Sequence, residues 1–113
     1  MKAVTMTLLA VMIATCLAVL SACQSVPSDN EEIGEMVQAV EAAIDAPEQS
    51  ASLRTIVEYG TDSRYYVMIR GWLVQELKGV ESQRDATRDP TLKSQFEVKA
   101  AFLQTAIRRI DLE

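Results

Sequence analysis

The sequence predicts an all-α fold: a small bundle of three or four helices that follows a leader and a short tether. Three observations carry this expectation. Apolar residues recur at spacings of three and four in successive stretches, the period of a helix with one buried face. The breaks between those stretches carry stop and start residues, namely Asp45-Ala46-Pro47, Gly60 and Asp89-Pro90. Of the 113 residues only two are cysteines, Cys16 and Cys23, so no disulfide framework serves the residues that follow. Helix packing or a partner must hold them together.

The chain begins with Lys2 and then runs from Met6 to Leu20 almost without a polar group. A positive start, an apolar stretch and small residues before a cut describe a secretory signal peptide. The apolar stretch is shorter than the roughly 20 residues that a spanning helix needs. It closes on Leu20-Ser21-Ala22-Cys23. That tetrapeptide resembles the lipobox of bacterial lipoprotein precursors in all four positions.

The resemblance implies that Cys23 receives a diacylglyceryl thioether, that cleavage falls before it, and that its freed amine is acylated. Residues 1–22 are then a signal peptide, 23–28 a lipidated tether and 29–113 the helical domain. Membrane attachment through lipid on Cys23 follows, since two or more acyl chains anchor stably where one binds only marginally. In that family an Asp just after the cysteine marks inner-membrane retention. Here the residue is Gln24, so the resemblance implies the outer membrane, facing the periplasm. The tether contains Pro27 and spans less than roughly 20 Å. The domain is therefore expected to ride close to the bilayer.

Ser28 and Glu31 stand at capping-box spacing, and acids mass at the positive end of the first helix. Ile33, Met36, Val37, Val40 and Ile44 form its apolar stripe, and Pro47 forces it to end. A short second helix is expected over residues 50–59, with Leu53, Ile56 and Val57 on one face and Gly60 as its C-terminal stop. Thr61-Asp62-Ser63 supplies the next N-cap. Tyr65, Ile69, Trp72, Leu73, Leu77 and Val80 then keep helical spacing. The alternative across residues 56–69 is a β-hairpin, because that segment is rich in β-branched and aromatic residues. The third helix is apolar on more than one side, which suits a central member of the bundle, and Gly71 is expected to let a neighbouring backbone come close. Residues 81–89 are polar, and the helix either continues through them or frays. Asp89 and Pro90 start the last helix as N-cap and N1. Its stripe is Leu92, Phe96, Lys99, Leu103, Ala106 and Ile110, flanked by Val98, Phe102 and Ile107.

The chemistry on offer is limited. The chain has no histidine, the commonest general base and metal ligand. There is no nucleophile elbow, no phosphate-cradling glycine loop and no Asp-x-Asp-x-Asp-Gly calcium pattern. No catalytic residue, metal-ligand set or cofactor is expected, and the chain does not read as an enzyme. Loss of Lys2 with the leader leaves ten basic residues against sixteen acids, a net charge of −6. That suits no phosphate backbone, so nucleic acid is not an expected partner.

Binding surface remains. All the Tyr and Trp residues (Tyr59, Tyr65, Tyr66 and Trp72) lie within fourteen positions, with Arg64 and Arg70 among them. Tyr, Trp and Arg are the residues enriched at interface hot spots. Packing of these aromatics as core is the competing reading, favoured for Tyr65 and Trp72. Tyr66 and Arg70, four apart on the other flank, are the stronger candidates for a partner-binding groove. The candidate partner site is therefore Tyr65, Tyr66, Arg70 and Trp72. The expected role is a lipid-anchored binding or assembly module that holds or escorts an envelope protein. In architecture alone this is similar to the small α-helical pilotin lipoproteins of secretion systems, which capture a segment of an outer-membrane channel subunit. The alternatives are a self-associating structural lipoprotein, hence a possible homo-oligomer, and an inhibitor or exclusion lipoprotein.

Overall fold

A computed structural model describes residues 28–113, so the leader, Cys23 and the tether as far as Pro27 lie outside the described residues. Four helices follow in order: α1 (Asp29–Asp45), α2 (Ser50–Gly60), α3 (Tyr66–Ala86) and α4 (Pro90–Leu112). No strand occurs among the described residues. The expected all-α bundle is the fold, with four helices rather than three.

At the start of α1 the Glu31 half of the expected capping box is in place. The Ser28 N–H donates to the Glu31 carboxylate at 3.3 Å, and the Glu31 N–H donates to the Ser28 carbonyl at 2.8 Å. The helix stops at Asp45, two residues before Pro47. The turn is then tied by Ser52, whose buried hydroxyl donates to the Ala46 carbonyl at 2.7 Å.

Gly60 does not act as the expected conformational stop. None of the described residues has a positive φ, and the helix end is made by Thr61. Its N–H and its hydroxyl both donate to the Val57 carbonyl, at 3.0 and 2.7 Å. Gly60 is buried, and a Cβ placed on it would lie 2.7 Å from Cγ2 of Ile110. Its lack of a side chain lets α2 and α4 meet. Gly71, the expected point of close approach, is exposed and has nothing within 4 Å of a Cβ position.

The hairpin alternative is excluded, because Ile56 to Tyr59 belong to α2 and residues 61–65 form a turn. Asp62 builds that turn. Its carboxylate accepts the Arg64 N–H at 2.9 Å and the Arg64 guanidinium at 2.8 Å. Its carbonyl accepts from the N–H groups of Tyr65 and Tyr66, both at 2.9 Å. The third helix therefore starts at Tyr66, later than a cap within residues 61–63 implies, and runs unbroken through the polar stretch to Ala86.

Asp89 caps α4 as expected, its carboxylate accepting the Thr91 N–H at 2.9 Å with Pro90 at the first helical position. The three-residue link makes α3 and α4 antiparallel neighbours. Cross-contacts confirm the direction: Arg70 meets Asp111, and Gln104 meets Glu81. Their 21 and 23 residues give matched lengths of roughly 30–35 Å at 1.5 Å per residue.

The core draws on all four helices. Met36 and Val40 come from α1, Ile56 from α2, Ile69 and Leu73 from α3, and Leu103 from α4, each fully buried. Burying each such side chain contributes about 1.5–3 kcal/mol, which is why amphipathic stripes rather than propensity decide these helices. The third helix is not enclosed on several sides. Its outer face leaves Val67 79% and Met68 44% exposed.

Candidate functional site

The structure divides the four sequence-derived site residues into three settings. Tyr65 is core, 8% exposed, with the Arg64 guanidinium 4.9 Å above its ring centroid. Trp72 is half-buried against the same core. At 100° per residue it lies about 200° around α3 from Arg70, so it does not share that residue's surface. Only Tyr66 and Arg70 act together.

They converge on Asp111, near the end of α4. The Arg70 guanidinium donates through Nε to Oδ1 at 2.8 Å and through Nη2 to Oδ2 at 3.0 Å. The Tyr66 hydroxyl donates to Oδ1 at 2.9 Å. This bidentate fork is the strong geometry for an arginine–carboxylate pair. The hydrogen bonds from Arg70 and then Tyr66 hold the Asp111 carboxyl below its ordinary value. The same contact holds the Tyr66 phenol above its ordinary value. All three groups remain in contact with solvent, which weakens the electrostatic part of the tie. These contacts tie α3 to α4, and the Arg70 side chain, 43% exposed, uses only two of its five N–H donors in them.

Sequence reasoning missed Asp111. A signal was present, since an acid in the last turn of a helix faces the negative end of the dipole and needs a cation from elsewhere.

A second region, not anticipated, offers an open surface. A cleft of about 450 Å³ lies between the α1–α2 turn and the first half of α4. Pro47, Phe96 and Val98 supply its apolar lining, and Asp45, Glu48 and Lys99 its charges. Lys99 Nζ stands 3.7 Å from Asp45 Oδ1, a loose pair across the gap. Four residues before Phe96, and so on the same face of α4, Leu92 is 43% exposed, and Val98 is 56% exposed. The buried part of the α4 stripe runs only from Ala100 to Ile110. Of its N-terminal continuation, Phe96 is half-buried against the core and also lines the cleft, while Leu92 is exposed beyond the cleft lining. A volume of this size falls within the range of ligand-binding clefts.

Another cleft, about 570 Å³, lies between α2 and the end of α4. Its charges are mixed, with Arg54, Glu58, Arg109 and Glu113 on its lining. Arg109 and Glu113 already pair at 3.3 Å.

Among the described residues no group of His, Cys, Asp or Glu side chains is placed to hold a metal ion. None of their buried side-chain polar atoms lacks a hydrogen-bond partner. No helix among them is long and apolar enough to cross a membrane. Compared with protein-family models, with curated proteins and with solved structures, the chain finds no match.

Proposed function

We propose that the chain is a lipid-anchored helical module at the periplasmic face of the outer membrane, which holds or escorts an envelope protein. The observation that carries this reading is the open cleft beside α4, whose apolar lining is Pro47, half-buried Phe96 and exposed Val98. Apolar side chains left at a concave surface are stabilised when a partner covers them. The lipobox resemblance at Leu20-Ser21-Ala22-Cys23 supports a lipid anchor, and Gln24 in place of an Asp supports the outer membrane. A tether of under roughly 20 Å would keep the domain close to the bilayer, where an envelope partner is within reach. The absence of histidine and of a free thiol after processing argues for binding rather than catalysis.

The test is crosslinking in intact cells that make the lipidated protein, read by mass spectrometry beside a Cys23→Ser control. One envelope protein recovered with the native chain and lost with the control is the expected result. Recovery of the chain's own copies alone would replace this reading with self-association. That second reading has its own observation, the outward Val67 and Met68 beside Gly71 on α3. A flat apolar strip of this kind suits a second helix.

A further inference from the structure

We infer that the cleft between the α1–α2 turn and α4 takes a cationic amphipathic helix, a segment of the partner protein with apolar residues on one face and Lys or Arg flanking it. The inference rests on the capture reading and names the partner chemistry at that same site.

Charge distribution selects the sign. Between residues 29 and 49 the sequence carries seven acids and not one Lys or Arg. Residues 50–113 carry ten basic residues against nine acids. The net negative charge of the domain therefore lies wholly in α1 and the turn after it. That turn forms one wall of the cleft through Asp45 and Glu48. Lys99 partly offsets Asp45 from the far wall. Glu48 is exposed and has no ion pair among the described residues. An incoming cation gains the attraction of an acidic wall, whereas an acidic segment meets like charge. The cleft at the other end of α4 carries two cations, Arg54 and Arg109, against two acids, Glu58 and Glu113, and offers no such bias.

The backbone selects the form. An extended peptide binds by adding a strand to an exposed sheet edge. No strand exists among the described residues, and helices keep their backbone groups bonded internally. The cleft therefore offers no strand edge, and its α4 wall presents side chains only. A helix laid in a groove by its apolar face is the mode that needs nothing more. Phe96 and Val98 on α4, with Pro47 on the opposite wall, give that face its apolar contact.

The test places the photo-crosslinking residue p-benzoylphenylalanine at Val98, a site exposed enough to accept it, in the full lipidated chain made in its own cells. The same is done with Glu48→Lys and with Glu48→Gln, and thermal melts by circular dichroism check that each variant folds. The expected crosslinked segment is helical in pattern, apolar on one face and rich in Lys or Arg on its flanks. Glu48→Lys is expected to lower the yield about three- to tenfold, and Glu48→Gln less. An acidic or neutral captured segment, or a yield indifferent to Glu48→Lys, would overturn the charge inference and leave capture standing. Crosslinks to nothing but the chain's own copies would overturn both.

Discussion

Gly60 and Ile110 are packed so closely that residue 60 has no room for a methyl group: a Cβ there would sit 2.7 Å from the Ile110 Cγ2. The obstructing atom is the β-methyl of a buried, branched side chain on a helix, which has little rotamer freedom to yield. Gly60→Ala is therefore expected to destabilise the domain by about 1–3 kcal/mol. The helix-propensity gain of alanine is smaller, and residue 60 is the last of its helix. Urea denaturation of the single and double variants with Ile110→Ala checks this. The two changes should be clearly non-additive, because removing the Ile110 methyls removes the clash. Strict additivity would sink the packing account.

Gly71 makes the opposite case. It is exposed in the interior of α3 with open space where a Cβ would go. Gly71→Ala should stabilise by about 0.5–1 kcal/mol through backbone entropy alone. A rise in the thermal midpoint is the readout, and a fall would show that something packs on that face in solution.

The Asp111 tie sets a pH dependence. Its carboxyl is held below the ordinary value by Arg70 and Tyr66, so its contribution is full above the unfolded pKa, about 4. That contribution is lost as pH falls through the lower folded value. Tyr66 works in the other direction. Its phenol is raised, so its contribution is present below about pH 10 and lost as pH rises through the higher folded value. Asp111→Asn should flatten the acid limb of urea midpoints measured from pH 2 to 6. An acid limb identical to that of the native chain would assign the dependence to other carboxylates, such as Asp62, which Arg64 also holds low.

Processing at Cys23 predicts a mass. The mature N-terminus should begin at Cys23, carry the mass of diacylglyceryl and acyl additions, and remain with the membrane fraction. Cys23→Ser should remove both the added mass and the membrane retention. A native chain that is cut elsewhere and recovered without lipid would remove the anchor from the functional reading.

Much of the fold was legible because its determinants are local. The stripes of Met36, Val40 and Ile44 and of Leu103, Ala106 and Ile110 recur every three or four residues, and those residues are buried. Pro47 and the Asp89-Pro90 cap act within one turn of themselves, so their effect is visible in a few letters. The hairpin alternative failed for a related reason. Asp62 can close a tight turn with its own carboxylate and carbonyl, which lets one helix follow another where a pattern of β-branched residues also allowed strands.

By itself, then, the sequence determined the helical class, the boundaries set by proline and capping residues, and the concentration of acid in residues 29–49. Tertiary structure alone decided which glycine is indispensable to packing, since Gly60 and Ile110 stand fifty positions apart. It alone joined Tyr66 and Arg70 to Asp111, across 45 and 41 positions. It alone left Leu92 exposed and Phe96 half-buried while fully burying Leu103 on the same stripe. Periodicity states which face of a helix is apolar. Whether that face is covered at each turn depends on where the other helices end, and only the packed chain settles that.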